Sequence, residues 1–100
     1  MPSVTVTVPH NSTPEEVTAR LKRLMAKAMA RNQDKVQNFV EEWSDTGLKF
    51  SFTTYGFNVG GTVAVDPTNV QVVGNLPFAA MMFKGKIEQG LKDELTKALA

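Results

Sequence analysis

The chain opens on a strict alternation. Val4, Val6 and Val8 fall on one side of an extended backbone and Ser3, Thr5 and Thr7 on the other, which is the period of a strand with one buried face. The β-branched residues suit that conformation. Pro9, His10, Asn11 and Ser12 break the pattern, and Thr13, Pro14 and Glu16 then spell a helix start. The Thr13 hydroxyl can accept from the orphan amides of the first turn, proline loses nothing at the first helical position, and the Glu16 carboxylate can reach back to the Thr13 amide as a capping box. From there the period is helical: at about 100° per residue, Val17, Leu21, Leu24, Met25 and Ala28 share one arc, with Met29 at its edge. Asn32 would point into that arc. The spacing therefore predicts a helix that ends near Arg31 or frays on toward Val36.

Period two returns at Phe39. Phe39, Glu41 and Trp43 alternate with Val40, Glu42 and Ser44, and Asp45, Thr46 and Gly47 offer hairpin-turn chemistry. Leu48, Phe50 and Phe52 line the next strand, Tyr55 and Gly56 mark a turn, and Phe57, Val59, Gly61, Val63 and Val65 share a face of the strand that follows. Asp66 to Asn69 predict a type I turn, after which Val70, Val72, Gly74 and Leu76 line the last strand. Gly60 and Gly61, inside a strand, predict a bulge or bend that curls the sheet. Beyond Pro77, Ala80, Phe83, Ile87, Leu91, Leu95 and Ala98 recur at helical spacing, with Leu99 at the edge. The expected fold is α+β: a curved, mainly antiparallel five-stranded sheet in the order β-α-β-β-β-β-α, with both helices on one face and residues 1–100 as a single domain.

Composition narrows the chemistry more than the fold. With no cysteine there is no disulfide, thiolate metal site or cysteine nucleophile, and a single histidine excludes a His-based metal cluster. No cofactor is expected. The amino terminus has neither a basic start nor a continuous apolar run, and nothing approaches the length of a membrane span, so a cytoplasmic location without a transmembrane segment is expected. The formal net charge of +1 hides segregation: residues 14–38 carry +3, residues 39–77 carry −3 and residues 78–100 carry +1. On the first helix Arg20, Arg23, Lys27 and Arg31 form a basic stripe beside the apolar face. Such a stripe serves either as a contact for anionic groups or as an ordinary solvated face. Aromatics are not interleaved with it, so nucleic acid is not an expected partner.

Catalysis finds little support. His10, Glu41, Glu42 and Asp45 are the candidates for acid–base work, but Glu41 and Glu42 are adjacent on a strand and point to opposite faces. His10 reads as a polar residue of the strand-to-helix turn, and Ser12 and Thr13 read as caps with no glycine-flanked elbow around them. No catalytic residue is assigned. The apolar surplus after Pro77 stands out instead. Phe78, Met81, Met82 and Phe83 point to several sides of a helix, as suits an adaptable contact surface for an apolar ligand, a polymer or a second subunit. The plainer reading is a first turn buried on both sides.

The strand from Val4 to His10, the helix from Pro14, the Trp43 to Phe52 hairpin and the Gly61, Thr62, Val63 step resemble the polyhydroxyalkanoic acid system protein family. So does the passage from Leu76 and Pro77 to Phe83, Lys84, Gly85, Lys86, Ile87 and Glu88. The Pro9, His10 pair and this last passage are the most specific parts; the connection from Arg31 to Val40 is longer than the family pattern. The resemblance implies a bacterial context of storage-polyester genes and granules and no established catalytic residues. The leading expectation is a non-catalytic accessory protein that contacts a polyhydroxyalkanoate granule or its proteins. The alternatives are a carrier of lipid or hydroxyacyl chains, with a pocket between the sheet and the carboxy-terminal helix, and a homodimeric interaction module whose interface is the apolar surplus.

Overall fold

A computed structural model of the chain describes residues 3–99. Its elements are β1 (Ser3–Pro9), α1 (Pro14–Arg31), β2 (Val36–Ser44), β3 (Gly47–Thr54), β4 (Phe57–Val65), β5 (Asn69–Asn75), a 3₁₀ segment (Phe78–Phe83) and α2 (Lys84–Leu99). The five strands form one sheet in the order β1-β5-β4-β3-β2, every neighbouring pair antiparallel. The first strand thus joins the far edge of a four-strand meander.

The register gives the alternation its physical basis. Val6 lies opposite Val72, Val72 opposite Val63, Val63 opposite Leu48 and Leu48 opposite Trp43, so one apolar row crosses all five strands. Val17 and Leu21 from α1 and Leu95 from α2 close over the same face, which places both helices on one side and the core between the layers. Val4, Val17 and Val70 are the largest fully buried side chains among the described residues, each worth roughly 1.5–3 kcal/mol relative to exposure. The other face of the sheet carries Thr5, Thr7, Gln71, Thr62 and Lys49, all exposed.

Helix α1 ends at Arg31, the first of the two ends expected, where the Asn32 side-chain Nδ2 donates to the Ala28 carbonyl at 2.7 Å. Other local expectations are corrected. Strand β2 begins at Val36, not Phe39, and Val36 and Gln37 pair with Thr54 and Thr53 before the register shifts between Gln37 and Val40. Asn38, with φ 54°, absorbs that shift; asparagine tolerates the left-handed region better than most residues. At Gly60 and Gly61, where a bulge or bend is expected, there is no bulge: β4 pairs without interruption on both sides, and the register shift lies in β2. Gly47 is the first residue of β3, leaving Asp45 and Thr46 as the turn. The Tyr55, Gly56 turn is as read, with both residues at positive φ (51° and 78°), the conformation a tight two-residue hairpin needs.

The α1 start is half as read. Thr13 accepts from the Glu16 amide at 3.2 Å, but the Glu16 carboxylate does not close a box on Thr13. It is held by the Ser12 hydroxyl at 2.9 Å and the Arg20 guanidinium at 3.0 Å. At the other end of the chain, the stretch after Pro77 begins as a 3₁₀ helix. That tighter winding turns Phe83 out of the predicted apolar arc, while Ile87, Leu91, Leu95, Ala98 and Leu99 remain wholly or partly covered.

Candidate functional site

The 3₁₀ segment is set off by its flanks. Pro77 has no N–H to extend the β5 ladder, and its carbonyl instead accepts from Ala80 at 2.9 Å, starting the i to i+3 pattern. Three residues per turn stack Phe78 with Met81, Ala79 with Met82 and Ala80 with Phe83. No residue of the segment is buried. Phe78 is 78% exposed, Met81 43%, Met82 88% and Phe83 56%. The plainer expectation, a first turn buried on both sides, is not what the fold does. The four predicted contact residues thus all lie exposed on one short segment between β5 and α2, spread over three ridges of it.

The basic stripe is divided. Arg20 is half-buried and bound to Glu16, whereas Arg23, Lys27 and Arg31 are exposed along α1. That ion pair and the Ser12 hydroxyl hold the Glu16 carboxyl below the ordinary carboxylate range, the hydroxyl being the larger cause.

His10 is buried and both ring nitrogens are engaged. Nε2 lies 2.7 Å from the Asp66 carbonyl oxygen and Nδ1 accepts from the Ser12 amide at 3.1 Å. With these partners the proton belongs on Nε2. The ring fastens the β1–α1 turn to the β4–β5 turn. Asp66 anchors that second turn with its carboxylate, which accepts from the Thr68 amide at 2.8 Å and the Asn69 amide at 2.6 Å. Those backbone bonds hold the Asp66 carboxyl below the ordinary carboxylate range.

Glu41 and Glu42 do face opposite ways. Glu42 is opposite Lys49 in the register, while Glu41 joins Phe39 and Trp43 along a hollow of about 380 Å³ whose other wall is Lys22, Met25, Ala26 and Met29 of α1. The Lys22 ammonium sits 5.5 Å from the centre of the Trp43 ring, within cation–π range. A second hollow, of about 300 Å³, shares Lys22 and is lined by Glu15, Thr18, Ala19, Ser44 and Asp45. Neither is lined by α2, where the carrier reading places its pocket. Sequence reading missed Lys22 and the α1–β2 hollow; the shared phase of Phe39, Glu41 and Trp43 was the signal. Among the described residues no group of three or more His, Asp or Glu side chains could hold a metal ion. No described helix is long and apolar enough to cross a membrane.

The profile of the family described as "Putative polyhydroxyalkanoic acid system protein" matches residues 4–99. No curated protein matches the chain. Among solved structures, the crystal structure of TTHA0849 from Thermus thermophilus superposes with a TM-score of 0.61 at 16% identity, covering 98% of this chain and 94% of that one. At that identity the likeness is one of fold.

Proposed function

Because the chain belongs to the polyhydroxyalkanoic acid system protein family, we propose that it is a non-catalytic accessory protein of a bacterial cytoplasm that adheres to polyhydroxyalkanoate granules through its 3₁₀ segment. The observation that carries this reading is the exposure of Phe78, Met81, Met82 and Phe83 on six consecutive residues. Exposed large apolar side chains concentrated on one short segment mark a contact site; the other large apolar residues exposed among the described ones, Val40, Tyr55 and Phe57, lie apart from it on β2, in the β3–β4 turn and at the start of β4. Unbranched methionines adapt to an irregular polymer surface, and the exposed parts of the Phe78 and Phe83 rings leave water when covered. Arg23, Lys27 and Arg31 add a separate contact for anionic groups on granule proteins. Co-sedimentation with purified granules, comparing the chain with a Met81→Ser, Met82→Ser variant, tests the assignment.

A second reading, a carrier of a small lipid or hydroxyacyl chain, is favoured by the α1–β2 hollow. Its volume is about 380 Å³, and its Met25, Met29, Phe39 and Trp43 lining suits an apolar chain beside the charged Lys22 and Glu41. Native mass spectrometry of the purified protein tests it: a co-purifying acyl chain supports the carrier, and a bare mass spectrum counts against it.

A further inference from the structure

The two edges of the sheet are built differently. Edge strand β2 carries Glu41 and Glu42 and is bulged at Asn38, devices that discourage pairing with another chain. Edge strand β1 has no charged residue, and its register with β5 is unbroken from Ser3 to Pro9. Among the described residues β1 has one strand neighbour.

The phase of its free groups follows from one bond. The His10 amide donates to the Thr68 carbonyl at 2.9 Å, continuing the β1–β5 register by one pair. Bonded pairs alternate along an antiparallel ladder, so Val8, Val6 and Val4 direct their backbone groups to β5. Ser3, Thr5, Thr7 and Pro9 direct theirs outward. Pro9 occupies a position where an N–H would have pointed away from the sheet, the place where an edge strand tolerates proline.

The order of residues in β1 reads almost the same in both directions about Val6: Thr5 mirrors Thr7 and Val4 mirrors Val8. We propose that β1 pairs antiparallel with β1 of a second copy, across a two-fold axis at Val6, joining two five-stranded sheets into one. In that register the Thr5 N–H donates to the carbonyl of the partner's Thr7 and the Thr5 carbonyl accepts in return, and the two-fold repeats the exchange. Ser3 donates to the carbonyl of the partner's Pro9, so the missing proline N–H costs one bond on each side. Every valine stays on the helix face and every threonine meets threonine on the other, a favourable cross-strand pair. A one-residue slip would put valine opposite threonine on mismatched faces. Because α2 packs on β1, the two α2 helices also meet at the axis. Helix axes need about 8–10 Å and strands lie about 4.8 Å apart, so the junction splays open on the helix side.

Light scattering coupled to size-exclusion chromatography of the full chain tests this. The expected mass is twice that of the chain. Thr7→Pro removes an N–H that β5 does not use, and is expected to give a monomer with an unchanged far-ultraviolet circular dichroism spectrum. If that variant fails to fold, Thr5→Lys decides, since it leaves the backbone intact and puts a lysine on each side of the axis. A folded variant that has become monomeric supports the pairing, and Met82→Ser is expected to leave the dimer unchanged. A monomeric wild-type chain, or a dimer that survives in the folded variant, overturns it.

Discussion

Phe50 lays its ring over Gly61 on the neighbouring strand. The two are register partners, and a Cβ placed on Gly61 would stand 3.0 Å from the ring's Cζ, 3.0 Å from the Gly74 Cα and against the Val73 carbonyl oxygen. An aromatic side chain thus covers the gap that two facing glycines leave in the apolar surface. Gly61→Ala forces the β4 and β5 backbones apart and is expected to destabilise the fold by about 2–3 kcal/mol. Gly90, inside α2, has open space around its Cα, so Gly90→Ala is expected to stabilise by about 0.5–1 kcal/mol through helix propensity. Urea unfolding of the two variants checks both signs.

Replacing His10 by alanine removes both bonds by which one buried ring ties together two turns far apart in sequence. The Asp66 carbonyl and the Ser12 amide lose their partner, which costs about 1–3 kcal/mol. The expected result is a lower urea midpoint with granule adherence unchanged in the folded fraction. Loss of a function from a fully folded His10→Ala protein would instead assign the ring a chemical role.

Acid sensitivity follows from Asp66 and Glu16, whose carboxyls are held below their ordinary range by amide bonds and by Ser12 and Arg20 respectively. A carboxyl lowered in the folded state stabilises the fold when ionised, so its contribution is present at neutral pH. It is lost as pH falls from the ordinary carboxylate range through the lowered folded value. Asp66→Asn keeps an acceptor oxygen but not the charge. It is expected to lower stability at pH 7 and to flatten the fall between about pH 5 and pH 2, as read by urea midpoints across that range.

Much of this architecture is legible in the chain because the alternation is carried by valines whose two faces differ sharply. Val4 to Val8 and Val63 to Val72 need no tertiary knowledge to be placed. Where a local signal serves another partner, the reading fails. Glu16 looks like half of a capping box, yet Ser12 and Arg20 are within reach of its carboxylate and take it. Gly60 and Gly61 look like a bulge because one chain cannot show that the Phe50 ring and the β5 backbone crowd that place. The real bulge at Asn38 lacks a glycine to announce it. The exposed cluster at Phe78 to Phe83 was legible as residues, but its outward placement depends on the switch from 3₁₀ to α winding at Lys84, which hydrophobic spacing does not encode.

Co-sedimentation with purified polyhydroxyalkanoate granules tests the central claim most directly. Met81 and Met82 are exposed, so serine at both positions leaves the core untouched and the melting temperature is expected to stay within about 2–3 °C of wild type. The account predicts that the wild-type chain pellets with granules and that the folded Met81→Ser, Met82→Ser variant stays largely in the supernatant, with at least a tenfold weaker apparent affinity. Equal pelleting of the two proteins, or no pelleting of the wild type, would contradict it.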